Sequence, residues 1–211
     1  FDGGLIMAVI SNGTTIADAG AFSVSLGSMV HIKTLTASSS ANLSFVHGTS
    51  GVVFNNTYPI YLFKFINIHP ATNNVQLMHN ASIDAASNYN VVATTTTFEG
   101  ESYESDQNNT LNYITSHDHA QDSGGKKLTY NMGNDNDQSL SGEMMIFNPS
   151  SSTFVKHFIS KVSNYHHGDY EKNTHTAGYY NTTSDLDAIK FFMSSGNMDS
   201  GTIKLYGIKD S

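Results

Sequence analysis

Apolar residues in this 211-residue chain recur at every second position over short segments, and no window of ten residues carries a capped stripe of helical period. Phe22, Val24 and Leu26 alternate with Ser23 and Ser25, and Val30 and Ile32 alternate with His31 and Lys33. Near the end Ile203 and Leu205 alternate with Thr202, Lys204 and Tyr206. Period two places successive side chains on opposite faces of an extended chain, as a half-buried strand requires. The segment Tyr58–Pro70 is apolar at both parities. Tyr61, Phe63 and Phe65 fall on one face, and Ile60, Leu62, Ile66 and Ile68 on the other, interrupted by Lys64. Such a strand is covered on both sides, so a neighbouring subunit or the N-terminal arm is expected over its outer face.

Further strands are expected at 42–46, 75–79, 88–98, 142–148, 153–163 and 186–193. Turn-forming pairs such as Asn55-Asn56 and Asn73-Asn74, and the run Ser194-Ser195-Gly196-Asn197, separate them. Short strands with this punctuation predict an all-β fold, a sandwich or a barrel. Residues 1–21 read as an N-terminal arm or linker, and 22–211 as a single sandwich domain. The polar, acidic stretch 99–141 reads as a long surface loop holding one or two weak strands, the kind of segment that carries function on a β-scaffold.

Ser, Thr and Asn fill 68 positions while charged residues make up only 13%. A surface of hydroxyls and amides suits strands and turns rather than exposed helices. All ten basic residues are Lys, and the net charge is −8. A nucleic-acid interface needs Arg or a basic cluster, so that class of partner is set aside. The absence of cysteine excludes disulfides, thiolate metal sites and a cysteine nucleophile. No apolar run approaches the ~18 residues that cross a bilayer, and membrane insertion is not expected.

Metal-ligand chemistry has two candidate clusters, His117-Asp118-His119 and His166-His167-Gly168-Asp169, where imidazole and carboxylate lie together. On a strand His117 and His119 would share a face. The run Gly133-Asn134-Asp135-Asn136-Asp137 offers Asp135 and Asp137 as oxygen ligands but lacks the spacing of a calcium loop. All three also read as surface polar residues or Asx turns, and no metal or other cofactor is expected. Glu99, Glu101 and Glu104 could line a hydrolytic groove, but there is no nucleophile elbow or phosphate loop, and the chain reads as a non-enzyme. For glycan recognition the candidate patch is Tyr165, His166, Tyr179 and Tyr180, with aromatic faces beside amide side chains. The competing reading packs these tyrosines at strand edges.

The stretches FKFINIHPATNNV (63–75), IFNPSSSTFVKHFISKVSNYHHGDY (146–170) and TAGYYNTTSDLDAIKFFMSSGNMDSGTIKLYGIK (176–209) resemble structural proteins of marine tailed bacteriophages. The ending SGTIKLYGI at 200–208 is similar to β-domains of phage tail fibres and virion appendages. The resemblance implies an all-β, antiparallel β-sandwich of jelly-roll-like form, assembled in the host cytoplasm and exposed on the virion surface. It implies a tail fibre, head fibre or capsid decoration that takes part in host attachment, with other virion proteins and copies of itself as partners. A trimer is the expected homo-oligomer. It brings no functional residues with it. The alternatives are a tip domain that binds a host receptor or surface glycan and, further off, a polysaccharide-degrading enzyme.

Overall fold

The protein's structure, a computed structural model, describes residues 28–106 and 109–209 in full, and in the N-terminal segment only the backbone of three short strands. These are β1 (Val9–Ser11), β2 (Thr14–Asp18) and β3 (Ala21–Phe22), which pair antiparallel in the order β1-β2-β3. Most of the expected arm at 1–21, and the alternation of Val24 and Leu26, lie outside the described residues.

Twelve further strands form two antiparallel sheets. An eight-stranded sheet has the order β4-β15-β6-β11-β12-β13-β8-β9, and a four-stranded sheet the order β10-β7-β14-β5. The large sheet comprises β4 (Met29–Thr36), β6 (Ile60–Pro70), β8 (Ala93–Tyr103), β9 (Asn109–Tyr113), β11 (Leu140–Phe147), β12 (Lys156–His166), β13 (Tyr170–Tyr180) and β15 (Met198–Ile208). The small sheet comprises β5 (Leu43–Val46), β7 (Leu77–Ser82), β10 (Lys126–Lys127) and β14 (Ala188–Met193). From β4 to β8 the chain changes layer at every strand. Among the described residues the single helical piece is a 3-10 turn at Thr115–His117. The all-β fold predicted by the alternation is observed, as an antiparallel sandwich.

The core is apolar where the small sheet covers the middle of the large one. Phe45 of β5, Phe63 and Phe65 of β6 and Phe191 of β14 meet edge to face, with ring centroids 5.0–5.3 Å apart for three of the pairs. Edge-to-face packing adds about 0.5–1.5 kcal/mol per pair beyond area burial. Tyr61 is also sealed in the core, and its hydroxyl donates to the carbonyl of Asn55.

Strand β6 departs from strict alternation. Asn67 has φ 48°, and the pairing of β6 with both β11 and β15 slips at this point. This bulge adds one residue and reverses the facing of the residues after it. Ile68 therefore joins Phe65 in the core, while Ile66 is exposed. The expectation that Ile68 shares the outer face with Leu62 is corrected by the bulge.

Two other expectations change. Strand β13, absent from the predicted set, is eleven residues long and central between β12 and β8. The stretch 99–141 is not one surface loop. It begins inside β8, contains β9 and β10, and ends inside β11. Its middle part lies against the inner side of the large sheet. The amide of His119 donates to Thr95 Oγ1, the amide of Gly133 to the carbonyl of Tyr165, and Asn164 Nδ2 to the carbonyl of Tyr130.

Candidate functional site

The residues expected to bind ligands do not form one patch, and the strand period explains why. Tyr165 and His166 are neighbours on β12, so they face opposite sides of the sheet, as do Tyr179 and Tyr180 on β13. Tyr180 is fully buried with its hydroxyl 2.8 Å from His79 Nδ1, and His166 is buried against Tyr170 at a ring spacing of 4.0 Å. Tyr165 stays on the outer face, where its hydroxyl donates to Glu104 Oε1 at 3.0 Å, and this bond pushes its pKa up to about 12. Tyr179 lies near the other end of the same face, paired across the strands with His157.

The metal candidates are likewise dispersed. His117 closes the 3-10 turn and is buried beside Tyr130 rather than sharing a strand face with His119. His119 Nδ1 lies 2.6 Å from Asp122 Oδ2. His167 stacks on His166 at the end of β12. The amide of Gln138 donates to the carbonyl of Asp135 in a backbone turn that also holds Asp137, and the amide of Asp135 donates to Gln138 Oε1. Among the described residues no group of three or more His, Asp or Glu side chains is arranged to hold a metal ion.

Two features stand out instead. The first is a polar interior under β8, β13 and β12. Thr97, Thr174, Thr176, Ser160, Asn164 and Lys172 are buried there. Lys172 is the centre of it. Its ammonium lies 2.7 Å from Glu101 Oε1 and contacts Glu99, with the Tyr130 ring centroid at 4.0 Å. Burial raises the pKa of Glu99, and Lys172 opposes that shift. Burial also pushes His117 down to about 3 and His166 down to about 4, so both rings are neutral at ordinary pH. Of the three glutamates singled out in the sequence, Glu99 and Glu101 meet at Lys172. Glu104 lies on the outer face with Tyr165.

The second feature is a row of residues across the outer face of the large sheet. Following the strand register, His31, Tyr206, Leu62, Met145, Ile159, Ala177 and Thr96 lie directly opposite one another on β4, β15, β6, β11, β12, β13 and β8. Cross-strand partners share a face and touch. Seven strands at their normal spacing make this row about 29 Å long. A parallel apolar row, Met29, Ile208, Ile60 and Phe147, flanks it on one side. On the other side runs a charged row, Lys204, Lys64, Glu143, Lys161 and His175, in which Lys64 and Glu143 form an ion pair. Beyond His175 that row turns apolar again at Phe98, which stacks on His175, and at Tyr113. A depression of about 470 Å³ lies over Ala177 and Gly178, walled by His157, Ile159 and Tyr179. Ile159, in the middle of the first row, is 48% exposed, and Phe98, on β8 beside the edge strand β9, is 47% exposed.

The sequence held the signal for this row in the doubly apolar β6. It holds no comparable signal for Lys172, whose neighbours in β13 are polar at both parities. Comparisons with protein-family models, with curated proteins and with solved structures give no significant match.

Proposed function

We propose that this chain is a non-enzymatic structural domain of a virion appendage, and that it assembles with copies of itself through the outer face of the eight-stranded sheet. The apolar row His31–Thr96 is the observation that carries the reading. With its flanking row it spans about 300 Å², the size at which an apolar patch on a folded domain is commonly an interaction site. Its composition fits self-association, because aromatic residues and methionine are enriched at the cores of protein interfaces. The charged row alongside supplies a polar rim with both signs present.

The resemblance of 63–75, 146–170 and 176–209 to marine tailed-phage structural proteins gives the assembly its context. A tail fibre, head fibre or capsid decoration needs a rigid scaffold that repeats by self-contact, and a trimer of jelly-roll-like sandwiches is the form proposed here. Other virion proteins would be its neighbours on the particle surface, after assembly in the host cytoplasm.

Sedimentation velocity on the purified chain tests this. The expected result is a concentration-dependent oligomer that Ile159→Lys shifts to monomer without loss of the β-sheet circular dichroism signal. A monomer at micromolar concentration, or an oligomer indifferent to Ile159→Lys, overturns the proposal.

A further inference from the structure

The polar interior opens to solvent on the inner side of β8 and β13, away from the outer apolar row. The opening is a cleft of about 400 Å³ lined by Glu99, Glu101, Lys172, Tyr103, Tyr130 and Tyr170, among others, within the size range of small-molecule sites. Its floor is built before any ligand arrives. Lys172 donates to Glu99 Oε1 at 2.5 Å and to Glu101 Oε1 at 2.7 Å, while its ammonium sits over the Tyr130 ring. Its wall is fixed too. Tyr103 is stacked on Tyr170 at 4.1 Å with the planes 13° apart.

One polar atom in this floor lacks a partner. Glu99 Oε2 is buried and has no hydrogen bond, and Glu99 as a whole is 1% exposed. A buried carboxylate oxygen left without a donor is destabilising, so the cleft is short of one hydrogen-bonding group at this atom.

We propose that the cleft binds a neutral sugar ring, with its hydroxyls hydrogen-bonded to Glu99 Oε2 and Glu101 and one C–H face against Tyr103. The chemistry of the floor selects this class. Two carboxylates around one ammonium leave the floor net negative, which repels an anion. The cation position between the carboxylates is already filled by Lys172, which disfavours an amine. A sugar hydroxyl both donates and accepts, so it suits Glu99 whether that carboxyl is ionised or protonated. The inference is independent of the virion assignment, because the cleft and the assembly row lie on different sides of the large sheet.

The test is an amide-resolved NMR titration of the full chain with methyl α-glucoside, methyl α-galactoside and N-acetylglucosamine, alongside glucuronate and glucosamine. At least one neutral sugar is expected to shift the amides of 99–103, 113–116, 130 and 170–172 with millimolar affinity. Glucuronate and glucosamine should bind more weakly than the neutral sugar of like ring. Removing the stacking wall with Tyr103→Ala should weaken the best sugar about tenfold. Phe154→Ala, at an exposed ring outside the cleft, should leave it unchanged. No cleft shift at concentrations well above millimolar for any of the three neutral sugars overturns the proposal. So does binding that Tyr103→Ala leaves intact, or a preference for the charged sugars.

Discussion

Lys172 and Glu99 form an ion pair in which the two side chains are 2% and 1% exposed. They sit on adjacent strands, diagonal to one another: Lys172 is directly opposite Glu101, and Glu99 is opposite Thr174. One ammonium therefore serves two carboxylates, and the polar half of the interior is organised around it.

Removing that ammonium strands two acidic groups. Lys172→Met is expected to destabilise the fold by about 3–5 kcal/mol, the usual cost of breaking a buried pair by deleting one partner. The triple variant Lys172→Met, Glu99→Gln, Glu101→Gln should recover part of that loss, because no carboxylate is then left to desolvate. Urea denaturation of the two proteins measures the difference. Equal stability of the single and triple variants would show that the charges are not what the site depends on.

Acid should unfold the protein through its buried histidines. His79, His117 and His166 all have folded-state pKa values below 6.5, each chiefly through burial. A group whose folded pKa is depressed stabilises the native state fully above its unfolded value. That stability is lost as pH falls from about 6.5 toward the folded values, by at most about 1.4 kcal/mol per pH unit per histidine. Glu99 and Glu171, whose pKa values are raised, act in the opposite sense as pH falls toward the ordinary carboxylate value. Thermal melts between pH 7.5 and pH 5 should thus show a steep fall in Tm below about pH 6.5. A flat profile across that interval would contradict the neutral, buried assignment.

The bulge in β6 is held by close backbone contact. Gly201 of β15 has φ +110°, and a Cβ there would stand 2.5 Å from the carbonyl oxygen of Asn67. Gly201→Ala is expected to cost about 1–3 kcal/mol from the strained backbone, lowering Tm by about 2–4 °C per kcal/mol in a chain of this length. Scanning calorimetry checks it. An unchanged Tm would mean that the slip at Asn67 is not locked by β15.

How much of the fold is legible in the sequence depends on whether the alternation is hydrophobic. Strands β4, β6, β11, β14 and β15 announce themselves because apolar residues recur at one parity. In β13 the inward residues are Tyr170, Lys172, Thr174, Thr176 and Tyr180. A strand whose buried face is polar carries no hydrophobic period, so it escapes a reading by period, and the Lys172 cluster escapes with it. The dispersed Tyr and His candidates show the converse. Tyr165-His166 and Tyr179-Tyr180 are adjacent pairs in strands, and period two alone forbids them from sharing a face. The misplacement of Ile68 has another cause, since the Asn67 bulge depends on pairing with two distant strands that local sequence does not encode.

Because the chain has no cysteine, a thiol placed at Ile159 would be the only one in the molecule, and its reactivity reports directly on the outer face. Maleimide labelling of Ile159→Cys, compared with Phe154→Cys at an exposed position, is the most direct test of assembly through this face. Protection of position 159 at high protein concentration, lost on dilution while position 154 reacts equally fast throughout, is the predicted result. Equal, concentration-independent labelling at both positions would contradict it.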